Sequence, residues 1–203
     1  MNTRNIDWKL LSGIVLAYIF IYFSFDHTQV FWYLYTANIL FLVSFSILNE
    51  KLDETSISLE NLIWGLISGI FLYGIFYIGS SFLSLFPWNI NYHIERLYTL
   101  FKMKWIWHYF VLILIIIPGE EVFWRGFIQK RISRHLTPFR AIMTTALLNS
   151  LPYCFTGYPL LIIAAFFSAI VWGWLYVWKR NIMLVIISHL IFDVLLIILF
   201  PLN

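Results

Sequence analysis

One cysteine, Cys154, in 203 residues excludes an internal disulfide and a Cys-rich metal knot. It reads as a small apolar packing residue. Charge is scarce too: 11% of residues are charged, against roughly 25% in an ordinary soluble domain. The formal charge is only +3, and the basic residues form no contiguous stripe with interleaved aromatics, so nucleic acid is not an expected partner. No repeat or low-complexity tract is present. The N-terminal MNTRNIDWK carries little positive charge, and no small-residue cleavage site follows the first apolar run, which therefore reads as a retained helix. Also missing are a serine in a GxSG setting, a GxGD aspartate and the HExxH zinc pattern.

What is present is apolar: 62% of the chain, with ten Trp, twelve Tyr and twenty Phe. Seven runs approach the roughly 20 residues that cross a bilayer: 10–25, 30–48, 61–86, 105–129, 138–156, 159–178 and 182–200. The third is long enough to tilt, or to break near Gly79. Before it, SISLE is a polar helix-start signal. Residues 87–104 mix aromatics with Arg96, Lys102 and Lys104 and read as an interfacial amphipathic segment. The expected fold is an all-α, polytopic transmembrane bundle of about seven spans (six to eight) around an intramembrane polar cavity. Residues 1–104 would supply N-terminal helices and the interfacial segment, and 105–203 a helical core, packed as one domain.

Lys and Arg accumulate on the cytoplasmic side of short connections. An inside N-terminus puts Arg4, Lys9, Lys51, Lys130, Arg131, Arg134, Arg140, Lys179 and Arg180 in the cytoplasm and three basic residues outside. A multi-pass protein of the cytoplasmic membrane with its N-terminus inside is expected. The basic turn at 130–140 is a positive-inside signal, with attraction to acidic lipid secondary. The cluster Trp172, Trp174, Tyr176 and Trp178 reads as an aromatic belt.

Against this background Glu120, Glu121 and Arg125 in IIIPGEEVFWRGFI stand out, because charged residues at membrane depth survive mainly where they face a protein interior or a wet cavity. Glu120 precedes Lys130 by ten residues, and Asn149 and His189 follow Arg140 and Arg180 by nine. Each thus lies about 13–15 Å from its cytoplasmic end at 1.5 Å of rise per residue. Residues four apart share a helix face, pairing Glu121 with Arg125, Asn149 with Tyr153, and His189 with Asp193. Glu121 is assigned to Arg125 as a structural ion pair and Glu120 to the cavity; the reverse stays open, since long side chains span five residues. Pro118 and Gly119 read as a helix disruption that makes room for water. A carboxylate beside water in an apolar surround suits general acid–base work; His189 suits either an oxyanion or a held water, and Asp193 suits either fixing its tautomer or contacting the substrate itself. A metal site is a weak alternative, and no cofactor is called for.

These residues resemble the CPBP group of glutamate-type intramembrane proteases, which includes CAAX prenyl endopeptidases and bacteriocin-processing or self-immunity proteins. The EExxxR motif reads as Glu120, Glu121 and Arg125, and the final motif, His followed four residues later by Asn or Asp, as His189 and Asp193. GWLYVWKRNIMLVIISH resembles the family's penultimate helix, basic turn and return. The resemblance spans about 105–200. It implies that Glu120 activates water for amide hydrolysis, that Glu121 and Arg125 support it, and that His189 and Asp193 serve the tetrahedral intermediate. The family's middle motif, Phe then His four residues on, falls on Tyr153 and Gly157, so an imidazole is missing and Asn149 or Tyr153 would have to hold the water. The expected function is endoproteolysis of a membrane-associated or lipidated peptide or protein near a terminus, with membrane lipids as the other partners. The alternative is an inactive relative serving as an immunity or scaffold protein that binds a peptide or enzyme partner.

Overall fold

The structure is a computed structural model and describes residues 6–53 and 56–202; Arg4, one of the charges expected in the cytoplasm, lies outside them. Eight helices follow one another: α1 Trp8–Asp26, α2 Phe31–Asn49, α3 Leu59–Leu83, α4 Ile90–Leu100, α5 Ile106–Ile132, α6 Pro138–Ser150, α7 Pro159–Lys179 and α8 Ile182–Leu199. Six of them, all except α4 and α6, are long and apolar enough to cross a membrane. The expected fifth span is not one continuous α-helix. Its 13 α-helical residues pass at Pro152 into a 3₁₀ turn, Leu151–Phe155, which together cover about 30 Å, still the thickness of a hydrocarbon core.

Helix starts follow local chemistry. The side chains of Asp7, Ser58 and Asn181 accept hydrogen bonds from the backbone N–H of Leu10, Asn61 and Leu184, satisfying otherwise orphaned donors. The expected helix start around Ser56 to Glu60 is thus capped by Ser58. α3 runs unbroken through Gly79, where an added Cβ would meet nothing within 4 Å. The segment expected to be interfacial forms α4, a short helix that buries only Ile90 and Ile94.

Two close approaches set the bundle. At Gly65 and Gly69 of α3 an added Cβ would fall 2.7 Å from Ile187 Cγ2 and 2.6 Å from the Ser188 carbonyl, so the glycines let α3 lie against α8 in the small-xxx-small manner of membrane helices. At Gly119 an added Cβ would fall 2.3 Å from Ile39 Cγ2, which brings α2 onto the middle of α5. On its Gly119 side the Pro118–Gly119 pair is closed by Ile39. Widened turns with i to i+5 bonding at Leu112–Ile116 and Val122–Gln129 flank it, and the first absorbs the hydrogen bond that proline cannot make. α5 is the central helix, with Ile117, Phe123, Phe127 and Ile128 wholly buried.

The basic turn after α5 does more than mark a membrane face. Arg131 donates to Asp7 (2.7 Å) and the Asn49 carbonyl (2.6 Å) and pairs with Glu50 (3.1 Å); Arg134 pairs with Glu50 (2.5 Å). Lys130 and the Tyr176 hydroxyl both donate to Asp53. Burial raises the proton affinity of Asp7 and Asp53, but hydrogen bonds and nearby cations outweigh it, from Leu10 N–H and Arg131 at Asp7 and from Lys130 and Tyr176 at Asp53. Both pKa values end below the ordinary Asp range. Cys154 is exposed rather than a packing residue.

Candidate active site

Glu121, Arg125 and His189 are 0%, 1% and 4% exposed. A charge this deep needs partners on every side. Glu121 sits one helical turn before Arg125, whose Nε lies 3.2 Å from Oε2 and whose Nη1 donates to Oε1 at 3.2 Å. Arg125 Nη2 reaches the Ala169 carbonyl of α7 at 3.4 Å. From α8, His189 Nδ1 approaches the same Glu121 Oε1 at 2.7 Å, while its Nε2 lies 3.5 Å from Asp193 Oδ2. A carboxylate thus faces each ring nitrogen, and only an imidazolium donates to both at once. Trp172 of α7 stacks on the imidazole, with ring centroids 3.7 Å apart and planes 24° apart, and the Arg125 guanidinium lies 5.3 Å from the same indole.

Glu120 has different company. It is half-buried, and the Tyr35 hydroxyl of α2 donates to its Oε1 at 2.5 Å, while its Oε2 takes no hydrogen bond from any described residue. The Tyr35 oxygen in turn lies 3.5 Å from the Tyr153 hydroxyl in the 3₁₀ turn after α6. The residues expected together therefore form two adjoining groups, one running from Arg125 through Glu121 and His189 to Asp193, the other from Glu120 through Tyr35 to Tyr153. Asn149 is 7% exposed but makes no hydrogen bond to either. Among the described residues no three His, Cys, Asp or Glu side chains are arranged to hold a metal ion. A cleft of about 800 Å³ lies elsewhere, beneath α4 and beside the end of α8.

The pairings from Glu121 to Arg125 and from His189 to Asp193 follow from four-residue spacing. Contact between Glu121, rather than Glu120, and His189 does not, because spacing within a helix says nothing about which face a second helix covers. Two neighbours escaped the sequence reading. Tyr35 was one tyrosine among twelve; its signal is the face it shares with Ile39, Leu42 and Ser46, all buried. Trp172 was assigned to an aromatic belt, but Trp172 and Tyr176 are 4% and 1% exposed while Trp174 and Trp178 are 60% and 49% exposed. The four-residue spacing of the buried pair was the available sign.

Residues 102–195 match the family described as type II CAAX prenyl endopeptidase Rce1-like. The match supports membership of the CPBP family that the motifs resemble. A search of curated proteins and one of solved structures each find no match. The CPBP segment begins just before α5 and ends within α8, so it contains both carboxylates, Arg125, His189 and Asp193, whereas Tyr35 precedes it. It is a protease family. At the middle-motif position Gly157 is exposed, with a φ of +76° and nothing within 4 Å of an added Cβ. The two other histidines of the matched segment serve otherwise: His108 Nδ1 accepts from the backbone N–H of Lys104 and Trp105 at the start of α5, and His135 is exposed in the basic turn.

Proposed function

We propose that the protein is a glutamate-type intramembrane endopeptidase, hydrolysing an amide bond near a terminus of a membrane-associated or lipidated peptide or protein. The observation that carries this reading is the division of labour between adjacent carboxylates. Glu121 takes hydrogen bonds from Arg125 and His189 on Oε1, has Oε2 against Arg125 Nε and is wholly buried, with no surface to offer a water, whereas half-buried Glu120 keeps an oxygen without a partner among the described residues. Glu120 takes a proton from water as the water oxygen adds to the scissile carbonyl carbon. The carbonyl oxygen gains negative charge and accepts a hydrogen bond from His189 Nε2–H, which the 3.5 Å separation from Asp193 holds only loosely. Glu120 returns the proton to the departing amine. Glu121, Arg125 and Trp172 position the imidazole.

The basic turn belongs in the cytoplasm on this reading, with the N-terminus on the same side. The test is Glu120→Gln and His189→Ala in the full-length protein, assayed for cleavage of membrane peptides from the same cell. Loss of processing with accumulation intact supports the peptidase. The glycine at the middle-motif position favours a second reading, a noncatalytic immunity or scaffold protein that binds a peptide or enzyme partner; full biological activity in both variants would establish it instead.

A further inference from the structure

Resting on that reading, we propose that Tyr35 and Tyr153 take the place of the absent imidazole, Tyr153 as a catalytic hydrogen-bond donor to the tetrahedral intermediate and Tyr35 as the residue that positions Glu120. The roles follow from counting protons. A phenol has one to donate. That of Tyr35 is committed to Glu120 Oε1 at 2.5 Å, so in its 3.5 Å contact with Tyr153 the Tyr35 oxygen can only accept. The Tyr153 O–H is then the donor of that contact, at the long limit of a hydrogen bond, and is free to turn that hydrogen bond to a stronger acceptor while keeping its proton. A developing oxyanion beside Glu120 is such an acceptor.

The rings are held for this task. Tyr35 and Tyr153 are each 7% exposed. Phe31 stacks on Tyr35 with centroids 5.2 Å apart and planes 15° apart, and Phe25 meets Tyr153 edge-on at 5.6 Å. Three helices fix the hydroxyls: α2 by its approach at Gly119, α5 through Glu120, and the 3₁₀ turn at Pro152 that ends α6 and buries Tyr153. When water adds to the substrate, Glu120 takes its proton and the carbonyl electron pair moves onto oxygen. That oxygen accepts hydrogen bonds from Tyr153 Oη–H and His189 Nε2–H, and collapse expels the amine with the proton from Glu120. Neither tyrosine changes protonation state over the cycle. Part of the site would thus come from α2, outside the family-matched segment.

The experiment uses full-length protein reconstituted in liposomes with a membrane peptide from the same cell that the wild-type protein cleaves. Tyr153→Phe should lower kcat about 100-fold with KM unchanged, as loss of one oxyanion donor does. Tyr35→Phe should lower kcat about 10-fold, by loosening one positioning contact, and the double variant should fall short of the product of the two. Tyr153→His should recover part of the loss and Gly157→His none, because position 157 faces open space. Wild-type kcat in Tyr153→Phe, with Glu120→Gln inactive, overturns this proposal and leaves the peptidase standing. Cleavage that survives Glu120→Gln overturns both. Should Tyr153→Phe fail to accumulate, Tyr153→His against Tyr153→Leu decides: equal kcat in the two overturns the donor role.

Discussion

Removing Arg125 from the buried Arg125, Glu121 and His189 group takes from the Glu121 carboxylate the guanidinium that neutralises it. Arg125→Met should therefore destabilise the protein by about 3–5 kcal/mol, read as a lower midpoint of thermal unfolding in detergent. Glu121→Gln with Arg125→Met should be milder than Arg125→Met alone, because the double variant strands no charge from that pair. Trp172 acts on the same group through its face. Trp172→Leu removes the surface against which His189 is stacked, a contact worth about 0.5–1.5 kcal/mol. Held to transition-state geometry, that amounts to roughly a 2- to 12-fold loss of kcat, measured by cleavage of a membrane peptide at unchanged protein yield.

Among the helices, the glycines separate into those that are touched and those that are not. Gly69→Ala places a methyl 2.6 Å from the Ser188 carbonyl and should force α3 off α8, whereas Gly74→Ala and Gly79→Ala meet nothing and should be neutral or gain up to about 1 kcal/mol from helix propensity. Thermal unfolding of the three variants tests this ordering. Gly119→Ala drives against the stiff Cγ2 of Ile39 and should cost about 1–3 kcal/mol while withdrawing Tyr35 from Glu120; adding Ile39→Ala should restore part of the cleavage. These contacts mark where sequence reading ran out. Spans, the Ser58 cap, the α4 helix and the Glu121–Arg125 and His189–Asp193 pairings depend on residues near one another in the chain, so periodicity exposes them. Tyr35 reaches Glu120 only because α2 crosses α5 at a glycine, and Trp172 reaches His189 only because α7 faces α8. Neither fact has a local signature. The disruption expected at Pro118 takes the form of widened turns before and after it.

For the molecule as a whole, the ion pairs between the N-terminal helices and the end of α5 predict a dependence on acid. Asp7 and Asp53 have folded-state values below the ordinary one, so their contribution is fully present above about pH 3.9 and is lost as pH falls through the lower folded values. Thermal stability in detergent should fall with acidification in that window, and Asp53→Asn should flatten the fall. The proposed orientation is tested in a Cys154→Ser background. His135→Cys should react with a membrane-impermeant maleimide only after permeabilisation, and Asn91→Cys in intact cells; the opposite pattern inverts the topology. The connection also has a meaning in time. On the proposed orientation, α5 is inserted after Asp7, Glu50 and Asp53 have already been made, so Lys130, Arg131 and Arg134 would be bare cations as the translocation machinery reads them and would be neutralised only when the earlier helices fold back onto them. The same three side chains serve first as a biosynthetic address and afterwards as the latch of the finished protein.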